Sequence, residues 1–362
     1  LPIHQLPVYQ LSKMLQDGSL TSLELVENQL KRIQKHDPQL NSFIDVYHDD
    51  ARNAAGAADL ARSSGNAIGP LHGIPIAIKD IIDIEGRITT GGSMVWKNRR
   101  SPHTATLVRK MIGAGMIVLG KTHTVEFAMG SFGTNQHMGS PRNPWDLNEH
   151  RATGGSSAGT AASVAGGLAP WGIGTDTGGS VRIPSAWCGL TGLKTTVGRI
   201  SVHGVLPLSH TLDTPGPMCR SVEDAAILYH LLAGPDIRDP KTMIHSVENP
   251  FNQMNREITG LKLARVTDSE LEKMDPENLE AYEASLLILE ELGAKTGRVE
   301  LPNDFQEMGT HVGQIIGAEG FSYVGQFTDD PSQPVDDDVR PRIGLGKEIS
   351  ARDYLLLLRG QQ

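Results

Sequence analysis

Three glycine-rich stretches and one lysine hold the residue types that can do chemistry. In Gly174-Thr175-Asp176-Thr177-Gly178-Gly179-Ser180-Val181-Arg182-Ile183-Pro184 a strand pattern runs straight into Thr-Gly-Gly-Ser. Consecutive backbone N–H groups can converge there with no side chains in the way. Such a nest suits a phosphate or the oxyanion of an acyl-transfer intermediate, and Ser180 at its end can serve as a nucleophile. The same letters also read as a tight turn closed by a hydrogen-bonding serine. Gly155-Ser156-Ser157-Ala158-Gly159 fits G-x-S-x-G, the nucleophile elbow of α/β hydrolases, with Ser157 as nucleophile and His203, His210, His230 and His245 downstream. That elbow should follow an apolar strand, whereas Pro144 to Thr153 is polar and turn-like. Gly115 to Thr122 matches the P-loop pattern letter for letter, yet its intervening Met, Ile, Val and Leu suit a buried strand, so a strand and then a turn is expected. Finally, Ile74, Ile76 and Ile78 share one face of a strand that leaves Lys79 at its carboxyl end. Open α/β sheets put their chemistry at such ends, although a lone strand-end lysine can equally be solvated.

The elements that must position these residues alternate. Thr21-Ser22-Leu23-Glu24 has capping-box spacing, and Leu23, Val26, Leu30 and Ile33 then predict a helix that Asp37-Pro38 stops. A strand over 41–47 and an Ala-rich helix over 49–61 follow. Helices are predicted over 104–112 and 157–168, and strands over 116–119 and 171–175. Strand and helix patterns in alternation predict an α/β fold with a mixed, largely parallel twisted sheet sandwiched between helices. After Pro217 glycine becomes ordinary and charge rises: helices are expected over 222–232 and 277–292, and strands over 261–266 and 296–301. Residues 1–69 are therefore expected to pack helices and a strand on the core, 70–220 to be the functional centre, and 221–362 to be a supporting α/β portion. The chain opens on Leu1 rather than Met, and the helical pattern from Ile349 to Leu358 meets no closing cap, so both ends are expected to be trimmed.

The 362 residues are 38% hydrophobic, enough for a large core, while 40 glycines and only 5% aromatics favour tight turns over aromatic packing. A net charge of −9 with no Lys/Arg block argues against a nucleic-acid or anionic-membrane surface. The uncharged run from Thr153 to Thr175 is too rich in Gly, Ser and Thr for lipid. Two cysteines, Cys188 and Cys219, are too few for a disulfide scaffold, so a cytoplasmic location is the default.

What decides between these readings is their conjunction. Lys79 after His72-Gly73-Ile74-Pro75-Ile76-Ala77-Ile78, the Gly154 to Gly159 stretch, and the Gly174 to Pro184 run continuing through Cys188-Gly189-Leu190-Thr191-Gly192-Leu193-Lys194 together resemble the amidase signature family, in its order and spacing over roughly residues 70–220. The resemblance implies that family's fold, a mixed sheet between helices. It implies Ser180 as nucleophile, Ser156 as a bridging serine held by a cis peptide, and Lys79 as base. It also implies an oxyanion hole from the N–H groups of Thr177, Gly178, Gly179 and Ser180, with no metal or organic cofactor.

Asp176 and Arg182 flank the nucleophile and can pair to hold its loop, with Ser157 assisting. Met129, Gly130 and Ser131 belong to a loop expected to wall the substrate pocket, and His72 and His137 have no derived role. Two departures from the family bear on the substrate. Ala158 replaces a usual glycine. Ile183 stands where tRNA-dependent amidotransferase subunits usually carry glutamine, and Val202 to Pro207 is unlike theirs. A free-standing amidase acting on a small carboxamide through a Ser180 acyl-enzyme is therefore expected, with no nucleic acid, no membrane and a homodimer as candidate assembly. The alternatives are an A-type glutamine amidotransferase subunit that works with partner subunits on tRNA, and an esterase using Ser157.

Overall fold

The computed structural model describes residues 1–246, 248–299 and 304–361. The opening helix α1 (Val8–Asp17) buries Val8, Leu11 and Leu15 on one face. Helix α2 (Ser22–Leu40) begins on the capping box: the Glu24 N–H donates to Thr21 Oγ1 at 3.1 Å and the Thr21 N–H donates to the Glu24 carboxylate at 2.8 Å. Pro38 does not stop it. A proline near the last turn removes one hydrogen bond only, and Asp37 closes the end instead, accepting the N–H groups of Ser42 at 2.8 Å and Phe43 at 3.1 Å. Strand β1 (Phe43–Val46), α3 (His48–Ser63) and β2 (Pro75–Lys79) follow, then α4 (Thr106–Gly113) and β3 (Ile117–Thr122). The P-loop letters thus form a strand, as their apolar residues require, but Gly120, Lys121 and Thr122 continue it where a turn was expected. Helix α5 (Ala158–Ala165), β4 (Gly172–Asp176), α6 (Arg182–Trp187), β5 (Thr191–Gly192), β6 (Thr214–Cys219) and α7 (Val222–Leu232) complete the Gly-rich half.

Six strands make one mixed sheet in the order β1-β3-β2-β4-β6-β5. Its centre is parallel: β2 pairs with β3 on one side and β4 on the other, while β1, β6 and β5 join antiparallel. Both faces are covered, which is why β2 is buried along its whole length. The alternation read from the sequence sorts into two cores. Ile74, Ile76 and Ile78 pack with Leu107, Met111 and Leu228 of α4 and α7. Ala77 packs with Val26 and Leu30 of α2 and with Ile117 and Leu119.

The chain divides into two compact units, residues 1–248 with 315–362, and residues 249–314. In the second, β7 (Lys262–Arg265), α8 (Asp268–Leu271), α9 (Pro276–Glu291) and β8 (Lys295–Arg298) form a parallel two-stranded unit with helices between the strands. The strand expected over 296–301 ends at Arg298, and residues 300 and 301 lie outside the described residues. Helix α10 (Phe305–Thr328) follows in the chain, and its residues from Ile315 on belong to the first unit with α11 (Val339–Gly344) and α12 (Ala351–Gly360). Among the described residues no helix is long and apolar enough to cross a membrane, and no group of His, Cys, Asp and Glu is arranged to hold a metal ion. Cys188 and Cys219 are buried free thiols.

Candidate active site

Lys79 ends β2, and the parallel register of Ala77 with Gly172 and Ile78 with Ile173 sets it beside the carboxyl end of β4. Its ammonium is completely buried, and Nζ donates to Ser156 Oγ at 2.7 Å and to Thr175 Oγ1 at 2.8 Å. No carboxylate among the described residues touches it. Burial therefore dominates and brings its pKa down to about 7, against the opposing charges of Asp213 and Asp176. A lysine in that state can exchange a proton near neutrality, which an ordinary surface lysine cannot.

Ser156 sits on the loop before α5, and the Gly155–Ser156 peptide is cis. This loop is pinned from two sides. The Gly155 N–H donates to the Ser131 carbonyl at 2.7 Å and the Val125 N–H to the Ser156 carbonyl at 3.2 Å. Gly154 makes the close approach possible: at φ +75°, a Cβ there would fall 2.8 Å from Pro184 Cα. The segment 125–131 so held contains Phe127 and Ala128 at φ +52° and +60°. That left-handed backbone costs L-residues energy and is concentrated at functional sites.

Ser180 lies on the turn between β4 and α6, 9% exposed. Asp176 shapes the turn, accepting N–H bonds from Gly179 at 2.8 Å, Val181 at 3.1 Å and Arg182 at 3.2 Å. Arg182 adds Nε to Oδ2 at 3.1 Å and Nη2 to Oδ1 at 2.9 Å. Burial alone would raise the Asp176 carboxyl, but the Arg182 bonds, the backbone donors and the guanidinium charge outweigh it and hold the carboxyl below its ordinary value. One expected donor is consequently spent, because the Gly179 N–H points at Asp176. Thr177, Gly178 and Ser180 remain on the cavity wall. The Ser157 N–H donates to the Ser180 carbonyl at 3.3 Å, joining the two serine loops through backbone. Between the Ser156 and Ser180 hydroxyls no hydrogen bond is formed among the described residues.

A cavity of about 400 Å³ opens over Ser180, lined by Met129, Gly130 and Ser131 on one side and Ile183, Leu208, Ile316 and Arg342 on the others. Sequence reading brought the first three to this place and missed Leu208, Ile316, Arg342, Thr175 and Asp213. Thr175 lies inside the Gly174 to Pro184 run, and nothing in the local sequence marks the others. Ser157 is not positioned as a hydrolase nucleophile. Its hydroxyl donates to the Thr175 carbonyl at 3.2 Å and accepts the Thr175 N–H at 3.3 Å. Of the histidines offered to it, His203 stacks on His103, His210 lies 3.5 Å from Glu319, and His245 faces the Val197 carbonyl. His72 is a buried residue bonded to the Ala58 carbonyl, and the His137 N–H caps onto Asn135.

The family model described as Amidase matches residues 24–350. The chain is 41% identical over 360 residues to the A-type subunit of glutamyl-tRNA(Gln) amidotransferase from Halorhodospira halophila, covering 97% of this chain and 73% of that protein. The solved structure of the peptide amidase from Stenotrophomonas maltophilia superimposes with a TM-score of 0.89 at 29% identity, over 99% of this chain and 79% of that one. A bacterial aryl acylamidase of the amidase signature family does so with a TM-score of 0.89 at 25% identity, over 99% and 75%. The expectation of no nucleic-acid partner is corrected by the first of these relatives, whose name makes it one part of an enzyme for a tRNA-linked glutamyl group. A net charge of −9 is a whole-chain average, and it speaks neither for a local patch nor for a nucleic acid held by a partner protein.

Proposed function

Because the chain belongs to the amidase family, enzymes that hydrolyse amide C–N bonds, we propose that it releases ammonia from a carboxamide by a Ser180 acyl-enzyme route, as the A-type subunit of a glutamine amidotransferase. The observation that carries the chemistry is the 2.7 Å contact between buried Lys79 and Ser156. Neutral Lys79 takes the Ser156 proton as Ser156 takes that of Ser180, and Ser180 Oγ bonds to the amide carbon. The carbonyl oxygen becomes an oxyanion that the N–H groups of Thr177, Gly178 and Ser180 can hold. The Lys79 ammonium then returns its proton through Ser156 to the leaving nitrogen, the C–N bond breaks and ammonia departs. Water adds to the acyl carbon by the same relay, releasing the acid and restoring Ser180. The Ser156–Ser180 contact this relay needs closes on substrate binding, since catalytic hydrogen bonds commonly tighten only around substrate.

Two observations support glutamine as the amide donor. Relatives that cover 97% of the chain are A-type amidotransferase subunits, and Arg342 supplies a cation on the cavity wall that can meet the donor's α-carboxylate. A second reading, direct hydrolysis of a free amide, draws on Ile183, which lines the cavity where the amidotransferase subunits usually carry glutamine. Ammonia release from L-glutamine, compared with propionamide, tests the two. Glutamine turnover that Arg342→Gln weakens through KM supports the first. Faster turnover of propionamide, indifferent to Arg342→Gln, replaces it with the second.

A further inference from the structure

Asp213 is a carboxylate of this site that no motif named. It stands one residue before β6, and the antiparallel pairing of Asp176 with Thr214 sets it beside the turn that carries Ser180. Its Oδ1 accepts the Thr177 hydroxyl at 2.5 Å, and its Oδ2 accepts the N–H groups of Leu208 at 2.9 Å and Ser209 at 3.0 Å. Thr177 and Leu208 both line the cavity, so one side chain ties two of its walls together.

The donors are all neutral, and that is the informative feature. Asp176 has its charge balanced by Arg182, whereas Asp213 has no ion-pair partner among the described residues. Burial holds its carboxyl above the ordinary value, outweighing Thr177, the Ser209 and Leu208 N–H groups and the charge of Lys79, which pull it down. Reciprocally, Asp213 is the foremost of the two carboxylates that favour a protonated Lys79. The other charged and titratable groups nearby are otherwise engaged. Glu319 on α10 accepts from Ser209, Thr211 and Tyr354, and Tyr323, also on α10, feels both Glu319 and Asp213. A loop held by neutral donors needs an acceptor, not a charge; the charge is left to act on the base.

We propose that Asp213 is a positioning residue of the reaction: it aims the Thr177–Ser180 turn through the Thr177 hydroxyl while its other oxygen holds the Leu208–Ser209 wall, and its charge, which has no ion-pair partner among the described residues, acts on Lys79. The proposal rests on Ser180 as nucleophile and Lys79 as base. The experiment measures kcat/KM for p-nitrophenyl acetate from pH 5.5 to 9 in the chain as it stands and in Asp213→Asn and Thr177→Val, with fluorophosphonate labelling of Ser180 as a separate readout. Asp213→Asn is expected to move the acid-limb midpoint down by about one pH unit, because the charge favouring the ammonium is gone, and to lower the plateau about tenfold. Thr177→Val keeps the charge and both backbone bonds, so it lowers the plateau comparably and leaves the midpoint in place. A residue that merely held the fold would lower activity equally at every pH. An Asp213→Asn midpoint equal to wild type, or a wild-type plateau in Thr177→Val, overturns the proposal, and the second variant decides alone if the first does not fold. Failure of the unsubstituted chain to label at Ser180 overturns the underlying reading instead, which the labelling arm distinguishes.

Discussion

Asp176 and Arg182 meet through two parallel hydrogen bonds, yet the arginine side chain is 54% exposed while the carboxylate is fully buried. The pair is thus a lid on a buried acceptor rather than a buried ion pair. With water able to replace the guanidinium and three backbone donors still on Asp176, Arg182→Ala should cost about 1–2 kcal/mol, well short of the loss for a fully buried pair. Activity should fall about tenfold as the turn loosens, and thermal unfolding with parallel kinetics measures both. Asp176 also fixes a pH dependence. Its folded pKa is depressed, so its contribution is complete above the ordinary carboxylate value of 3.8 and is lost as pH falls through the lower folded value.

Ser180→Ala should abolish covalent capture of a fluorophosphonate while leaving the melting temperature within a degree or two, since only the attacking oxygen is removed. Ser157→Ala should do the reverse. It keeps the nucleophile but leaves the Thr175 N–H without its acceptor, at a cost of about 1–3 kcal/mol. Labelling that persisted in Ser180→Ala and vanished in Ser157→Ala would transfer the nucleophile's role.

Lys79 must be neutral to act as base, and its pKa is about 7, so turnover should rise with pH through that value. Lys79→Ala should lower amide hydrolysis far more than hydrolysis of an activated ester, because only the amide's leaving nitrogen needs the returned proton. The measurement is the amide-to-ester ratio of kcat/KM, and an unchanged ratio removes Lys79 from the mechanism.

The same lysine carries a stability signature. Its folded pKa lies below its ordinary 10.5, so between about 7 and 10.5 the unfolded chain binds more protons and stability rises with pH. Lys79→Met should flatten that slope, which denaturant midpoints at pH 7 and pH 9.5 would show. Equal slopes in the two proteins would mean the buried amine is not neutralised on folding.

Gly154→Ala should damage the site without touching a reacting atom. The added Cβ meets the Pro184 backbone at 2.8 Å and the residue must hold φ +75°, so the Ser156 loop and α6 have to separate. A loss of about 2–4 kcal/mol is expected, with kcat reduced more than KM is raised; an unchanged kcat would show that the spacing of these loops is not critical.

Local rules made the serines and the lysine legible. Glycine runs that free backbone N–H groups announce a nest wherever they occur, a period-two isoleucine pattern puts Lys79 at a strand end, and a capping box starts α2 at Thr21. Those signals concern a residue and its near neighbours in the chain, and they survive into the fold almost unchanged. Strand β6 shows where local rules fail. Thr214-Pro215-Gly216-Pro217-Met218-Cys219 has little strand propensity, but it pairs antiparallel with β4, and its prolines join the structure through their carbonyls, Pro217 accepting the Leu193 N–H at 3.0 Å and Pro215 the Thr195 hydroxyl at 3.2 Å, so neither needs an N–H of its own.

What the amino-acid order determined by itself was therefore a set of chemical groups and the elements that carry them: Ser156, Ser180 and Lys79, on a loop, a turn and a strand end. Tertiary structure alone decided which of them touch. Lys79 reaches Ser156 across 77 positions of chain because β2 lies parallel beside β4 and the Ser156 loop is tied by backbone to the Ser180 turn that follows β4. Asp213 holds Thr177 across 36 positions because β6 returns antiparallel, and Ile316 and Arg342 reach the cavity from more than a hundred residues beyond Ser180. Hydrogen bonds and buried charges act over a few ångströms in space, whatever the separation along the chain. The packing that buries a lysine and lowers its proton affinity, and the contacts that aim a turn, have for that reason no signature in any short stretch of sequence.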